Sequence, residues 1–99
     1  MKVINEFDKY KKHILNNEFF EAHEILEEIW QKLRKTDDNL QWAYKGLINA
    51  AVALELKKRK REDKIYKMVW KNFEKYKKYY TLSEETKKTA EFIKKFKPY

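Results

Sequence analysis

The chain has no cysteine, one glycine and one proline among 99 residues, and each shortage removes a class of structure. Without thiols there are no disulfide staples, thiolate metal centres or cysteine nucleophiles, and a reducing, cytoplasmic setting is the natural expectation. A single glycine leaves almost nothing from which to build the positive-φ turns of tight β-hairpins. Long apolar runs are missing too. The longest stretch without charge, Gly46 to Leu54, falls far short of the ~20 residues that span a bilayer. The opening segment MKVINEFDKY has no apolar core of the secretory kind, so neither a membrane nor secretion is expected.

What the chain does have is enough apolar material for one core. A domain of this length hides roughly 65% of the surface its unfolded form exposes, and 42% apolar with 16% aromatic residues is well above the composition of disordered segments. The 40% of residues that are charged must therefore occupy an outer face. Their distribution is uneven. Residues 1–50 hold 8 Lys or Arg against 9 Asp or Glu, whereas residues 51–99 hold 16 against 7. A basic half can attract nucleic acid, anionic lipid or an acidic partner. However, lysines outnumber arginines 21 to 3, and phosphate or base recognition favours the planar, bidentate guanidinium.

Apolar residues recur at three and four, so helices are expected throughout: about residues 3–15, 18–34, 40–60, 62–79 and 83–96. The first carries Ile4, Phe7, Tyr10 and Ile14 on one side, and Asn17 follows as an expected N-cap for the second. The second places Phe19, Ala22, Leu26, Ile29, Trp30 and Leu33 on one stripe, with Glu21, Glu24 and Glu28 opposite. The third is apolar in nearly all directions, which predicts a buried central helix. Along it Ala43, Gly46, Ala50 and Ala53 form a shallow stripe suited to close approach of another helix backbone. The fourth turns Ile65, Tyr66, Val69, Trp70, Phe73, Tyr76 and Tyr80 inward and a field of lysines outward. The fifth is expected to start at a capping box formed by Thr81 and Glu84. The fold class is thus all-α, a four- to five-helix bundle around a buried third helix.

Residues 18–30, EFFEAHEILEEIW, and 44–54, YKGLINAAVAL, resemble the paired signatures of the domain of unknown function 309 family, small helical proteins of bacteria and archaea. The resemblance extends over roughly residues 4–80. It implies a helical bundle and brings no activity with it. The family's characteristic positions fall on Glu21, Ala22, His23, Glu24, Leu26, Glu27, Trp30, Lys45, Gly46 and Ala51. Where this chain has Asn49 the family commonly has glutamine, and near Lys60 and Arg61 it has a Gly-Asn turn.

Apart from the resemblance, His23, Glu27 and Trp30 are spaced four and three and share a stripe bordering the apolar face. Lys45 and Asn49 share another on the third helix, and the two stripes are expected to face each other. One reading makes His23 a general base or metal ligand, Glu27 its orienting or co-ligating partner, and Lys45 an anion stabiliser. One histidine with nearby carboxylates is short of the three or four ligands a zinc site requires, and there is no HExxH pair or glycine-rich phosphate loop. The other reading is a buried polar network of His23, Glu27, Lys45 and Asn49 that fixes the packing of two helices.

The run Lys57, Lys58, Arg59, Lys60, Arg61 is a candidate anion-binding tract, continued by Lys64, Lys67, Lys71, Lys75 and Lys78. It equally suits a helix C-terminus, where cations complement the dipole. Trp42, opposite the small-residue stripe, is expected to be covered by another subunit if the first and fifth helices leave it bare. The preferred expectation is a non-enzymatic interaction or scaffold module that self-associates or binds a protein partner, with no cofactor. The alternatives are a small hydrolase or metal-assisted enzyme at the His/Glu/Lys group, and a basic nucleic-acid accessory protein.

Overall fold

The computed structural model describes residues 5–99; Val3 and Ile4, placed by the sequence pattern at the start of the first helix, lie outside the described residues. The order is α1 (Glu6–Leu15), α2 (Phe19–Lys35), α3 (Leu40–Lys58), α4 (Asp63–Lys75), a short 3₁₀ helix (Lys77–Leu82) and α5 (Glu84–Lys94). Among the described residues there is no strand, and no helix is long and apolar enough to cross a membrane. The fold is all-α with α3 at its centre, packed most extensively against α2 on one side and α4 on the other. α1 lies on α2, and α5 reaches α1, α3 and the 3₁₀ helix.

Local chemistry sets the ends. Over the described residues α1 runs from Glu6, with Asn5 as its cap, the Asn5 side-chain oxygen accepting from the Asp8 amide at 2.9 Å. Asn17, expected to cap α2, instead closes α1. Its φ is 60°, the Asn17 amide donates to the Ile14 carbonyl at 3.1 Å and the Glu18 amide to the His13 carbonyl at 2.8 Å. This paired closure, with a left-handed residue just past the helix, satisfies carbonyls that would otherwise lack donors. α2 ends the same way at Asp37 (φ 55°) and α3 at Lys60 (φ 60°), which stops α3 two residues short of its expected end.

Asparagine and aspartate tolerate that conformation, but lysine pays for its Cβ there. Lys60→Gly is therefore expected to stabilise the fold by about 0.5–1 kcal/mol, the relief of strain exceeding the added freedom of the unfolded chain. A melting temperature a few degrees higher in calorimetry checks it.

The fourth expected helix is really two pieces. α4 stops at Lys75, and the chain tightens into the 3₁₀ helix so that Tyr80, 4% exposed, folds back. Its hydroxyl donates to the Phe73 carbonyl at 2.6 Å and its ring stacks on Phe73 with centroids 5.2 Å apart. The small-residue stripe of α3 thus receives a tyrosine ring at Gly46 rather than a helix backbone. α5 is capped by Ser83, which accepts from the Thr86 amide at 3.1 Å, not by a Thr81–Glu84 box; the Thr81 hydroxyl donates to Lys78 O. Two threonines that the apolar pattern passes over, Thr86 and Thr89, are fully buried and donate to Tyr80 O and Glu85 O, both at 2.7 Å.

α3 is not sheathed on every side. Trp42, Lys45, Ile48, Asn49, Val52, Glu55 and Leu56 are only half-buried, and their spacing of three and four makes them one stripe along the helix. Trp42, at its upper end, is covered in part by the end of α4: its ring stacks on Tyr76 at 5.7 Å and approaches Tyr79 at 6.4 Å.

Candidate functional site

α2 presents His23, Glu27 and Trp30 toward this open stripe. Together with Lys45, Ile48, Asn49 and Val52 of α3 they line one pocket of about 200 Å³, so the two sequence-predicted groups do converge. A neighbouring pocket of about 240 Å³ continues the same groove, past Phe20 and His23 on α2 to Val52, Leu56 and Arg59.

Within the groove the four polar residues do not form one hydrogen-bonded network. His23 and Glu27 pair with each other, Nε2 lying 2.7 Å from the Glu27 carboxylate. The other ring nitrogen, Nδ1, lies 2.8 Å from the Phe20 carbonyl. A carbonyl only accepts, so Nδ1 carries a proton, and both nitrogens are directed at acceptors of α2 itself. Lys45 points to neither. Its Nζ lies 5.2 Å from the Trp30 ring centre and 6.0 Å from that of Trp42, and Arg34 covers Trp30 at 5.0 Å. Such cation–π contacts are worth about 0.5–1 kcal/mol each at partly exposed sites. Asn49 donates to the Lys45 carbonyl at 2.8 Å and accepts from Asn72 of α4 at 3.3 Å. Among the described residues the buried Trp30 Nε1 has no hydrogen-bond partner.

Trp42 and Asn72 therefore belong to the site as well, beyond the residues expected there from the sequence. For Trp42 the signal was available, since it precedes Lys45 by three on the same stripe. Asn72 has no such marker, because nothing in its surroundings reveals that Asn49 stands opposite.

A metal ion would find Nε2 of His23 and a carboxylate oxygen of Glu27, but among the described residues no three His, Cys, Asp or Glu side chains converge. His13, the other histidine, is paired with Glu18 at 3.0 Å across the α1–α2 turn.

The basic tract is partly engaged within the molecule. Lys57 donates to the Pro98 carbonyl at 2.6 Å and Lys58 to the Asn17 carbonyl at 2.7 Å, tying the chain's last residues and the end of α1 to the end of α3. Arg59 pairs with Glu55 at 2.8 Å. Lys60 and Arg61 are exposed and, among the described residues, have no ion-pair partner within 4.0 Å.

Beyond this groove, the displaced ionisations are those of tyrosines. Burial raises the Tyr10 and Tyr80 phenols well above their usual range. Burial, then the hydrogen bond to Glu6, does the same for Tyr44, whose hydroxyl donates to that carboxylate at 2.8 Å.

No curated protein and no solved structure matches the chain. A family model does, over residues 7–68, a span that contains α1, α2, α3 and the first turns of α4, with the whole groove-forming part of α2 and α3. The match stops short of the aromatic 3₁₀ helix, part of which falls within the resemblance over residues 4–80, and of α5, which does not. With more than half its length matched, the chain belongs to the family described as Domain of unknown function (DUF309).

Proposed function

We propose that this protein is a non-enzymatic helical interaction module that self-associates, and that its contact face is the groove formed by α2, α3 and α4. The observation that carries this reading is the half-open stripe of the central helix. Ile48, Val52 and Leu56 sit at its floor, and a large exposed apolar side chain stands on each bank, Phe20 on α2 and Met68 on α4, 46% and 62% exposed. Met68 precedes Asn72 by four, on the stripe that meets Asn49. Apolar side chains scattered singly need no explanation, but a line of them along one groove suits an interface with polar groups at its rim. The engagement of both His23 nitrogens by α2's own acceptors, and of Lys45 by two indole rings, favours a structural role for the polar group over a catalytic one.

Sedimentation velocity across a concentration series tests the reading. The wild-type chain is expected to form a dimer, and Phe20→Ser with Met68→Ser to remain monomeric with an unchanged melting curve. A wild-type chain that stays monomeric at every concentration sinks it.

A further inference from the structure

The two banks of the groove carry opposite charge on matching patterns. On α2, Phe20, Glu24, Glu27 and Gln31 follow one another at four, three and four; on α4, Lys64, Met68, Lys71 and Lys75 do the same. Each set is one stripe of its helix, one acidic and one basic, and each includes one exposed apolar side chain. Levels across the bundle also agree. Asn49 lines a pocket with Glu27 and is bonded to Asn72, so Glu27, Asn49 and Asn72 stand at one height, with Glu24 opposite Met68 and Glu27 opposite Lys71.

A closed pair of identical chains is related by a two-fold axis, which for two copies packed face to face lies in the plane of the face. An axis running across the helices would set α2 on α2 and α4 on α4, acid on acid and base on base. An axis running along α3 sets α2 of each copy on α4 of the other, at the same height. Resting on the reading above, we infer that the occupant of the groove is a second copy of this chain. The two copies are related by an axis along α3, so that the Glu24 and Glu27 stripe of each meets the Lys71 and Lys64 stripe of the other. Burial of Phe20 and Met68 supplies attraction, and charge selects the orientation.

Charge exchange tests this directly. One variant carries Glu24→Lys and Gln31→Lys, the other Lys64→Glu and Lys71→Glu; all four residues are exposed, and circular dichroism is expected to give wild-type melting for both. In this arrangement the first variant is basic on both banks and the second acidic on both. Each alone therefore repels itself and sediments as a monomer at low salt, whereas an equimolar mixture forms a heterodimer, because every basic bank then meets an acidic one. The wild-type dimer is expected to weaken at least tenfold in dissociation constant between low and high salt. Variants that each dimerise as the wild type does, or a mixture that remains monomeric, would overturn the inferred orientation. A monomeric wild type would instead remove the underlying proposal of self-association, so the two failures are distinguishable.

Discussion

Gly46→Ala is expected to destabilise the protein by about 1–3 kcal/mol, although alanine is the better helix former by about 1 kcal/mol. A Cβ at position 46 would collide with the Tyr80 hydroxyl and lie 2.8 Å from its Cζ. The end of a flexible side chain could swing away cheaply, but this one cannot. Tyr80 is buried, stacked on Phe73 and bonded through its hydroxyl to the Phe73 carbonyl. Making room costs the overpacking typical of a filled core, about 1–3 kcal/mol, together with the hydrogen bond, about 1 kcal/mol. For a chain of this size the melting temperature should fall by roughly 5–20 °C. Adding Tyr80→Phe removes the colliding oxygen, so the double variant should lose less than the two single variants summed. Strict additivity, or an alanine variant more stable than wild type, contradicts this account of the glycine.

Alkaline pH should unfold the protein steeply. Tyr10 is fully buried and its hydroxyl donates to the Leu47 carbonyl at 2.7 Å; Tyr80 is 4% exposed. Burial raises both phenols in the folded state, whereas in the unfolded chain they ionise near the ordinary value of about 10. The folded form therefore keeps protons that the unfolded form gives up. The stability this represents is complete below about pH 10 and is lost as pH rises from there toward the folded-state values, at about 1.4 kcal/mol per pH unit for each phenol. Together Tyr10 and Tyr80 withdraw about 3 kcal/mol per unit, and Tyr44, raised by burial and by its bond to Glu6, withdraws at the same rate as each of them over this range. Urea midpoints measured between pH 9 and 11.5 should be flat and then fall. Tyr10→Phe should fall less steeply, having one fewer proton to lose, even if it starts lower. An unchanged slope would contradict burial of Tyr10.

The helices and the central place of α3 are legible in the sequence because they rest on periodicity and on a helix apolar in nearly every direction. What escapes is set by contacts between distant residues. Tyr76, Tyr79 and Tyr80 keep helical spacing, so nothing local announces the break after Lys75; the break exists because Tyr80 reaches Gly46. Asn17 reads as a cap from either side, and only the backbone shows that it closes α1 rather than opening α2. Ser83 and Thr81 offer the same hydroxyl two residues apart, and the buried bond from Thr86 to Tyr80 O decides between them.

The candidate site divides along the same line. His23 and Glu27 are an i,i+4 pair, and the facing of their stripe with Lys45 and Asn49 could be read from the edges of the apolar faces. The partners of Lys45 and Asn49 could not, because an indole ring and the amide of Asn72 compete for them as well as a carboxylate does. The third helix reads as apolar in nearly all directions, and only the structure shows that Lys45, Asn49 and Glu55 lie on a side left half-open.

Self-association through the groove is the claim on which the functional account stands, and backbone amide chemical shifts followed from dilute to concentrated protein test it most directly. The account predicts that resonances from Phe20 to Gln31, from Lys45 to Leu56 and from Lys64 to Lys75 move together with concentration, while those of α1 and α5 stay fixed. Movement confined to α1 and α5, or no movement over the whole range, would contradict it.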